Sequence, residues 1–508
     1  MHYKRNVAVL IIFFAIVRSI VGTSVELGND ESYYWLYSQH LQWNYFDHPP
    51  MVAIWARLFS ANLLLQDYPI FLRLGSIVGC ALSTWFIFKC VSEIKDERAG
   101  WFAACLYNAS YYAGITAGLF LMPDSPQMIF WTFSLWMIAR MVKEESKWLN
   151  FILFGIASGL CIMSKVHGIF IWIGLSFFIL IKKRNWLTNP RLYAALALAL
   201  IISSPILFWN IQNNFITYRF HSERVGISGY HSNWQSLLEA ITGQVVINNP
   251  VNVILIITAL IGGLRHKIKS SAPGIFNFIG LPLIFILLFM AFFRKTLPHW
   301  SGPAFVSLIP LAAVWLSQLK STAVFPTVLK LSTAFYLGFL ILCTAVINWY
   351  PGHFGNKTGP YLGNGDITLD MYGWEKAGKE FATIYKNDLQ NGIMPAATPV
   401  VCNNWWGAHE EYYFCLPLKI EMIGLGPVNE IHQYAWLNER RSFKANLANA
   451  YCIIHSDENY NAYEQYGQYY TTMDTAAIIK INRNKKPAHD FYILRMKGFK
   501  NTALTTAH

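Results

Sequence analysis

Charge is what this chain has least of. Charged residues make up 13% of its 508 positions and hydrophobic ones 54%, against roughly 25% charged in an ordinary soluble domain. That scarcity excludes a soluble enzyme with an ordinary surface. A convincing Gly-rich dinucleotide fingerprint or P-loop is also missing, since "GLGP" at Gly424 to Pro427 is too short to count, so nothing points to a bound nucleotide. No internal repeat is visible, which counts against the related halves of many transporters. No small-residue cleavage pattern follows "MHYKR", and Arg18 interrupts the apolar run behind it. The start therefore reads as an uncleaved first helix rather than a signal peptide.

What is present is a series of apolar stretches close to the ~20 residues that cross a bilayer. They run from Val7 to Gly22, Phe71 to Cys90, Trp101 to Phe120, Pro126 to Met141, Leu149 to Met163, Ile169 to Ile181, Leu192 to Trp209, Val251 to Leu264, Ile275 to Phe293, Ala304 to Leu319 and Leu331 to Trp349. The expectation is a polytopic α-helical membrane protein of about eleven spans, because a lipid-facing backbone must satisfy its own hydrogen bonds. "SKVHG" is read as a turn between two short helices. One long helix there would strand Lys165 and His167 near mid-span, which is costly without partners.

Lysine and arginine collect in alternate loops: Lys4 and Arg5, Lys89 to Arg98, Lys143 and Lys147, Lys182 to Arg184, Arg265 to Lys269, and Lys320. These loops are expected inside. The N-terminus is then inside, residues 1–350 form the membrane domain, and residues 351–508 lie outside. The formal net charge of +12 is mostly this inner rim facing anionic lipid headgroups. It calls for no nucleic acid.

Other basic residues fall on the opposite side: Arg57, Arg73, Lys165, His167, Arg219, His221, Arg224, Arg294, Lys295 and His299. An anion is their natural partner, since arginine and lysine pair strongly with phosphate or carboxylate. The plain alternative is that they snorkel to lipid phosphates or pair with Asp30, Glu31, Asp47, Asp124 and Glu223. Those carboxylates share the outer face. Asp30 and Glu31 follow the first apolar run, Asp124 lies in "LMPDSPQ", and Asp47 and His48 separate two aromatic segments that read as short interfacial helices. Carboxylates beside an anion site suit a group transfer with an anionic leaving group. One takes the proton of an attacking hydroxyl while cations hold the departing phosphate. Asp30 is equally a good helix cap.

The ordered series "NDESYYWLYSQHLQWNYFDHPPMVAIWARLF", "LFLMPDSPQMIFW", "FGIASGLCIMSKVHG", "PILFWNIQNNF" and "LPHWSGPAF" resembles the bacterial branch of the protein O-mannosyltransferase superfamily. Its relatives include the aminoarabinose and galacturonic acid transferases of lipopolysaccharide. The similarity runs from about Val7 to Pro310. It implies a GT-C glycosyltransferase in the cytoplasmic membrane that uses a polyprenyl-phosphate sugar on the periplasmic face. The acceptor would be a hydroxyl of lipid A, another glycan, a lipid or a protein.

By the same resemblance Asp30, with Glu31 beside it, matches the family's first-loop catalytic aspartate, and Asp124 the second-loop acidic position. Asp47 and His48 line the cavity. Several relatives carry Glu-Lys at that pair, so a lysine's phosphate role does not pass to His48. Lys165 with Arg219, His221 or Arg224 would hold the donor phosphate, and His299 would orient a carboxylate or help hold a cation. Asp47, His48, His221 and His299 include ligand types for a divalent ion without a diagnostic spacing, and the metal stays open.

After the linker "NWYPGHFGNKTGPYLGNGD", one helical stretch and the short strands "TPVVC", "KIEMIGL", "AYCIIHS" and "AAIIKINR" indicate a small extracytoplasmic α/β domain. Its expected roles are covering the active-site cavity or recognising the acceptor. Of eight cysteines, Cys80, Cys90, Cys105, Cys161 and Cys343 fall in or beside helices, as small apolar residues do. Cys402, Cys415 and Cys452 belong to the outer domain, where an oxidising compartment permits a Cys402–Cys415 bond. Two other functions compete with the transferase. A lipid-linked sugar flippase or transporter would spread polar residues through mid-membrane, and a non-catalytic glycan-binding protein would not need the Asp30, Asp47 and Asp124 series.

Overall fold

A computed structural model describes residues 3–226, 231–265, 274–319, 323–355, 359–441, 447–457 and 461–500. Positions 266–269 and Lys320 of the basic loops expected inside, and 356–358 of the linker, lie outside them. The chain divides into two compact units. The first is Met1–Gly22 with Leu41–Leu340, and the second is Thr23–His40 with Ile341–His508.

In chain order the helices begin with α1 (Tyr3–Ser24), α2 (Asn29–Gln39), α3 (Met51–Phe59), α4 (Pro69–Ile94), α5 (Glu97–Ala109), α6 (Asp124–Lys143), α7 (Trp148–Ser164) and α8 (Ile169–Lys182). They continue with α9 (Pro190–Gln212), α10 (Ile216–Val225), α11 (Trp234–Ile247), α12 (Pro250–Arg265), α13 (Ile275–Ala291), α14 (Gly302–Gln318), α15 (Thr327–Trp349) and α16 (Trp374–Gln390).

Their starts follow local chemistry. Asp96 caps α5 by accepting from Ala99 N. Asn189 caps α9, whose first residue is Pro190, a position where a missing N–H costs nothing.

Among the described residues five helices are long and apolar enough to cross a membrane: α1, α4, α9, the segment Pro298–Gln318 that contains α14, and α15. The pair α11 and α12, bent by 101°, makes a sixth if taken as one span, and Trp148–Ser164, Val166–Lys182 and Ile275–Ala291 are shorter apolar helices. The expected span from Trp101 to Phe120 is broken, because α5 stops at Ala109 and a π-helical turn, Tyr112–Thr116, follows. The turn expected at "SKVHG" is present. Lys165 is extended (φ −158°, ψ 137°) between α7 and α8.

The core of the first unit is mostly apolar, with polar staples set inside it. Asn249 Nδ2 donates to the carbonyls of Ala109 (2.8 Å) and Ser332 (2.9 Å), and Asn252 Nδ2 to that of Leu106 (2.9 Å). Bonds of this kind tie apolar helices together where hydrophobicity alone gives no preference among partners.

In the second unit five strands form one sheet: β1 (Val400–Cys402), β2 (Met422–Gly424), β3 (Asn449–His455), β4 (Tyr470–Arg483) and β5 (Lys486–Phe499), in the order β2-β1-β3-β5-β4. β1 is parallel to both neighbours, while β5 is antiparallel to β3 and β4. The β4–β5 hairpin turns on Asn484 and Lys485, both at positive φ, as a tight turn between right-twisted strands requires.

Two expectations change in this unit. Cys402 and Cys415 are free buried thiols, as is Cys452, the third cysteine of this domain. Residues 23–40, placed in the membrane domain by the boundary at 350, group instead with the C-terminal residues. The cause is local: side chains from 370–413 bind the backbone of residues 27–29.

Candidate active site

The site of the first unit is built around Asp124. It opens α6 directly after Pro123, where the helix dipole favours a negative charge. Its carboxylate is 1% exposed. Lys165 Nζ donates to both oxygens, at 2.9 and 2.8 Å, and the Tyr112 hydroxyl donates to Oδ1 at 2.8 Å. Lys165 is itself 5% exposed. A buried ion pair survives only when its remaining hydrogen-bonding capacity is met, and the tyrosine meets part of it here.

Tyr112 begins the π-helical turn, a distortion found often at functional sites. Around that turn the Gly114 carbonyl accepts from Arg18 Nε (2.9 Å) and from the Tyr336 hydroxyl (3.1 Å), and Arg18 also donates to Asn108 Oδ1 (3.1 Å). Arg18, which broke the first apolar run of the sequence, thus braces the turn that presents Tyr112. On the other side Gly302 packs under the ring, and a β-carbon there would overlap Tyr112 ring atoms. Gly302→Ala is therefore expected to push the phenol away from Asp124 and to lower turnover about tenfold, the effect of losing a hydrogen bond to a charged group. Tyr112→Phe, measured beside it as product per enzyme, is expected to match that loss.

Histidines rim the pair. His48, His167 and His299 each lie within electrostatic range of Lys165 and Asp124, and His221 within range of His48 and His167. Burial pushes His48 down to about 4, and the Lys165 cation helps to outweigh Asp47. The His48 ring is neutral at pH 7 and offers hydrogen bonds rather than charge.

The loop that carries His48 is zipped to α10. Asn44 Nδ2 donates to Thr217 Oγ1 (3.0 Å), Thr217 Oγ1 donates to the Tyr45 carbonyl (3.2 Å), and His221 Nε2 donates to the Asp47 carbonyl (2.7 Å). Asp47 itself is buried.

These positions revise the expected roles. Lys165 and Asp124, singled out separately as phosphate ligand and catalytic carboxylate, hold each other. An ammonium has three N–H groups, so Lys165 keeps at most one for a phosphate. Arg219 and Arg224 are exposed on α10, and the Arg224 guanidinium lies over the rings of Phe220 (5.2 Å) and Trp300 (5.9 Å). Two arginines expected among the outward anion ligands are structural ties. Arg73 is buried, donates to the Gly22 carbonyl (2.8 Å) and lies over Phe120, and Arg294 donates to the carbonyls of Glu223 and Gly226.

Among the described residues no three of His, Cys, Asp and Glu converge to hold a metal ion. The His48 and His221 rings are 6.3 Å apart.

Asp30 and Glu31 stand in the second unit, in the first turn of α2. Glu31 is buried and its Oε2 accepts from Gly28 N at 3.1 Å. The Asp370 carboxylate accepts from Asn29 N at 3.1 and 3.3 Å. Glu31 and Asp370 thus cap the start of α2. Asp30 is exposed.

Tyr112 was missed by the sequence reading. A tyrosine inside an apolar run carries no signal of its own, and its meaning comes from the π-helical turn.

With the geometry in view, comparison with known proteins is informative. Residues 47–209 match the sequence profile of the dolichyl-phosphate-mannose-protein mannosyltransferase family. They form a domain of that family. This domain contains Asp47, His48, Asp124 and Lys165.

The chain is similar to the lipid A galacturonosyltransferase RgtD of Rhizobium johnstonii, 23% identical over 292 residues, which is 57% of this chain and 60% of that one. The match thus spans less than two thirds of that relative. In fold the chain resembles ArnT from Cupriavidus metallidurans bound to undecaprenyl phosphate, with a TM-score of 0.64 at 13% identity, covering 96% of this chain and 97% of ArnT. The apo form of ArnT gives 0.63 at 14% identity, covering 96% and 98%. The architecture is that of the GT-C fold.

Proposed function

We propose that the protein is an inverting glycosyltransferase of the cytoplasmic membrane. It moves a hexose or pentose from a polyprenyl-phosphate donor to a hydroxyl of an envelope acceptor, such as lipid A, another glycan, a lipid or a protein, on the outer face. The observation that carries this reading is the buried Tyr112–Asp124–Lys165 centre with its histidine rim, inside the domain that matches the mannosyltransferase profile. The names of the relatives agree with it, since one acts on lipid A and the other was captured with undecaprenyl phosphate.

In the proposed step the acceptor oxygen attacks the anomeric carbon while the bond from that carbon to the phosphate oxygen breaks. The phosphate leaves with the electron pair, and Asp30 takes the acceptor's proton. Inversion follows from attack on the face opposite the leaving group. Asp124 acts here as the fixed partner that aims Lys165, rather than as a base: a carboxylate already bound by an ammonium and a phenol is a poor proton acceptor. The remaining Lys165 N–H, Arg219 and Arg224 meet the phosphate's charge, and the rings of His48 and His299 supply hydrogen bonds. The residue roles and the donor and acceptor classes form one reading.

Native mass spectrometry of the purified protein tests the donor class. Undecaprenyl phosphate is expected to be retained one to one and undecaprenol to be lost, with Arg224→Ala weakening retention about tenfold, as loss of one charge-assisted bond implies. Equal retention of the alcohol and the phosphate would contradict a phosphate site.

A further inference from the structure

The second unit gives the C-terminal domain a task. Residues 26–29, which lead into α2, take side-chain hydrogen bonds at one position after another. The Glu26 carboxylate accepts from Trp374 N (2.8 Å) and Glu375 N (3.2 Å), the first N–H groups of α16. Leu27 N donates to the Tyr413 hydroxyl (2.6 Å), and the Leu27 carbonyl accepts from His409 Nε2 (2.9 Å). Gly28 N donates to Glu31, and Asn29 N donates to Asp370.

The two segments therefore cap each other's helices. Glu26 closes the N-terminus of α16, and Asp370, placed just before α16, closes that of α2. Each closure satisfies N–H groups that a helix start leaves open. The fit is tight at Gly28, where a β-carbon would come within 2.8 Å of Met371 Cε and 2.9 Å of Asp370 Oδ2. His409 is held in turn by stacking on Trp374, ring centroids 3.8 Å apart at 23°. Leu27 is fully buried and Val25 nearly so.

A buried turn bonded at each position has one backbone path. That path decides where the first turn of α2, and Asp30 on it, points. We propose that the C-terminal domain positions the acceptor-activating carboxylate: His409, Tyr413 and Asp370 fix the backbone of residues 27–29 and thereby the placement of Asp30. The proposal rests on the transferase reading of Asp30. His409, Tyr413 and Asp370 are positioning residues, and none of them touches substrate. Productive geometry tolerates little error, and a misplacement of about 1 Å can lower a rate about a hundredfold. The requirement explains why residues 27–29 are bound so thoroughly by side chains more than three hundred positions later in the chain.

Two readouts on the full chain test this. Amide hydrogen exchange on the purified protein reports the segment from Val25 to Ser32, and product per enzyme in a complemented deletion strain reports transfer. His409→Ala and Asp370→Ala are expected to speed exchange at Leu27 to Ser32 at least tenfold, with β3 and β5 unchanged, and to lower product at least tenfold. Asp370→Asn keeps an oxygen acceptor for Asn29 N and is expected to restore most of both. Unchanged exchange in the alanine variants overturns the proposal, because the side chains then do not hold the segment. Faster exchange with full product overturns it too, because the segment is then held without positioning anything. Full product from Asp30→Asn removes Asp30 as the base and overturns the proposal with it, and is told apart because it is read in a chain whose His409, Tyr413 and Asp370 are intact.

Discussion

Replacing Asp30 by asparagine is expected to lower transfer about 10² to 10⁴-fold, the usual contribution of a positioned general base, while the protein accumulates to normal levels. The exchange keeps shape and removes the proton-accepting charge. Asp30 is exposed, and the capping of α2 belongs to Glu31 and Asp370. The fold should therefore lose no more than the few tenths of a kcal/mol that a surface substitution or one charge near a helix start is worth. Transfer measured in membranes against enzyme abundance checks both halves. A variant that turns over at the wild-type rate removes Asp30 from the chemistry.

The second large effect concerns the buried pair. Lys165→Met or Asp124→Asn alone leaves one partner without its counterpart where exposure is 5% or less, and breaking such a pair costs about 3–5 kcal/mol. Removing both together, in Lys165→Met with Asp124→Asn, is expected to recover most of that stability, because paired buried charges are close to neutral in net worth against well-packed replacements. Transfer should be lost in all three, since none retains a lysine aimed by Asp124. Thermal unfolding in detergent together with product formation separates the two roles. A double variant as unstable as the single ones would show that the pair holds the bundle by something other than mutual compensation. A double variant that still transfers sugar would remove the pair from the site.

The sequence made the chemistry easier to see than its arrangement. The break at Lys165 was legible because a lysine in mid-membrane is expensive, and the chain turns there. The two short helices around Asp47 and His48 were legible from their aromatic composition and the double proline. Strands β1 to β4 were legible from their apolar runs. β5 was not, because its opening "KPAHD" carries charges and a proline that hide the alternation behind them.

The pairing of Lys165 with Asp124 spans 41 positions and left no local trace. Each residue was picked out, and the bond between them was not. The grouping of residues 23–40 with the C-terminal unit was equally hidden. It depends on Asp370, His409 and Tyr413, which read in the sequence as ordinary residues of a separate domain.

The measurement that tests the account most directly is a comparison of lipids. Polyprenyl-phosphate sugars and envelope glycoconjugates are extracted from a deletion strain carrying either the wild-type gene or none, and compared by mass spectrometry. The account predicts that the wild-type chain moves a sugar-sized mass from the polyprenyl-phosphate pool to an acceptor, and that the donor builds up without it. Identical glycoconjugates and identical donor pools in the two strains would contradict it.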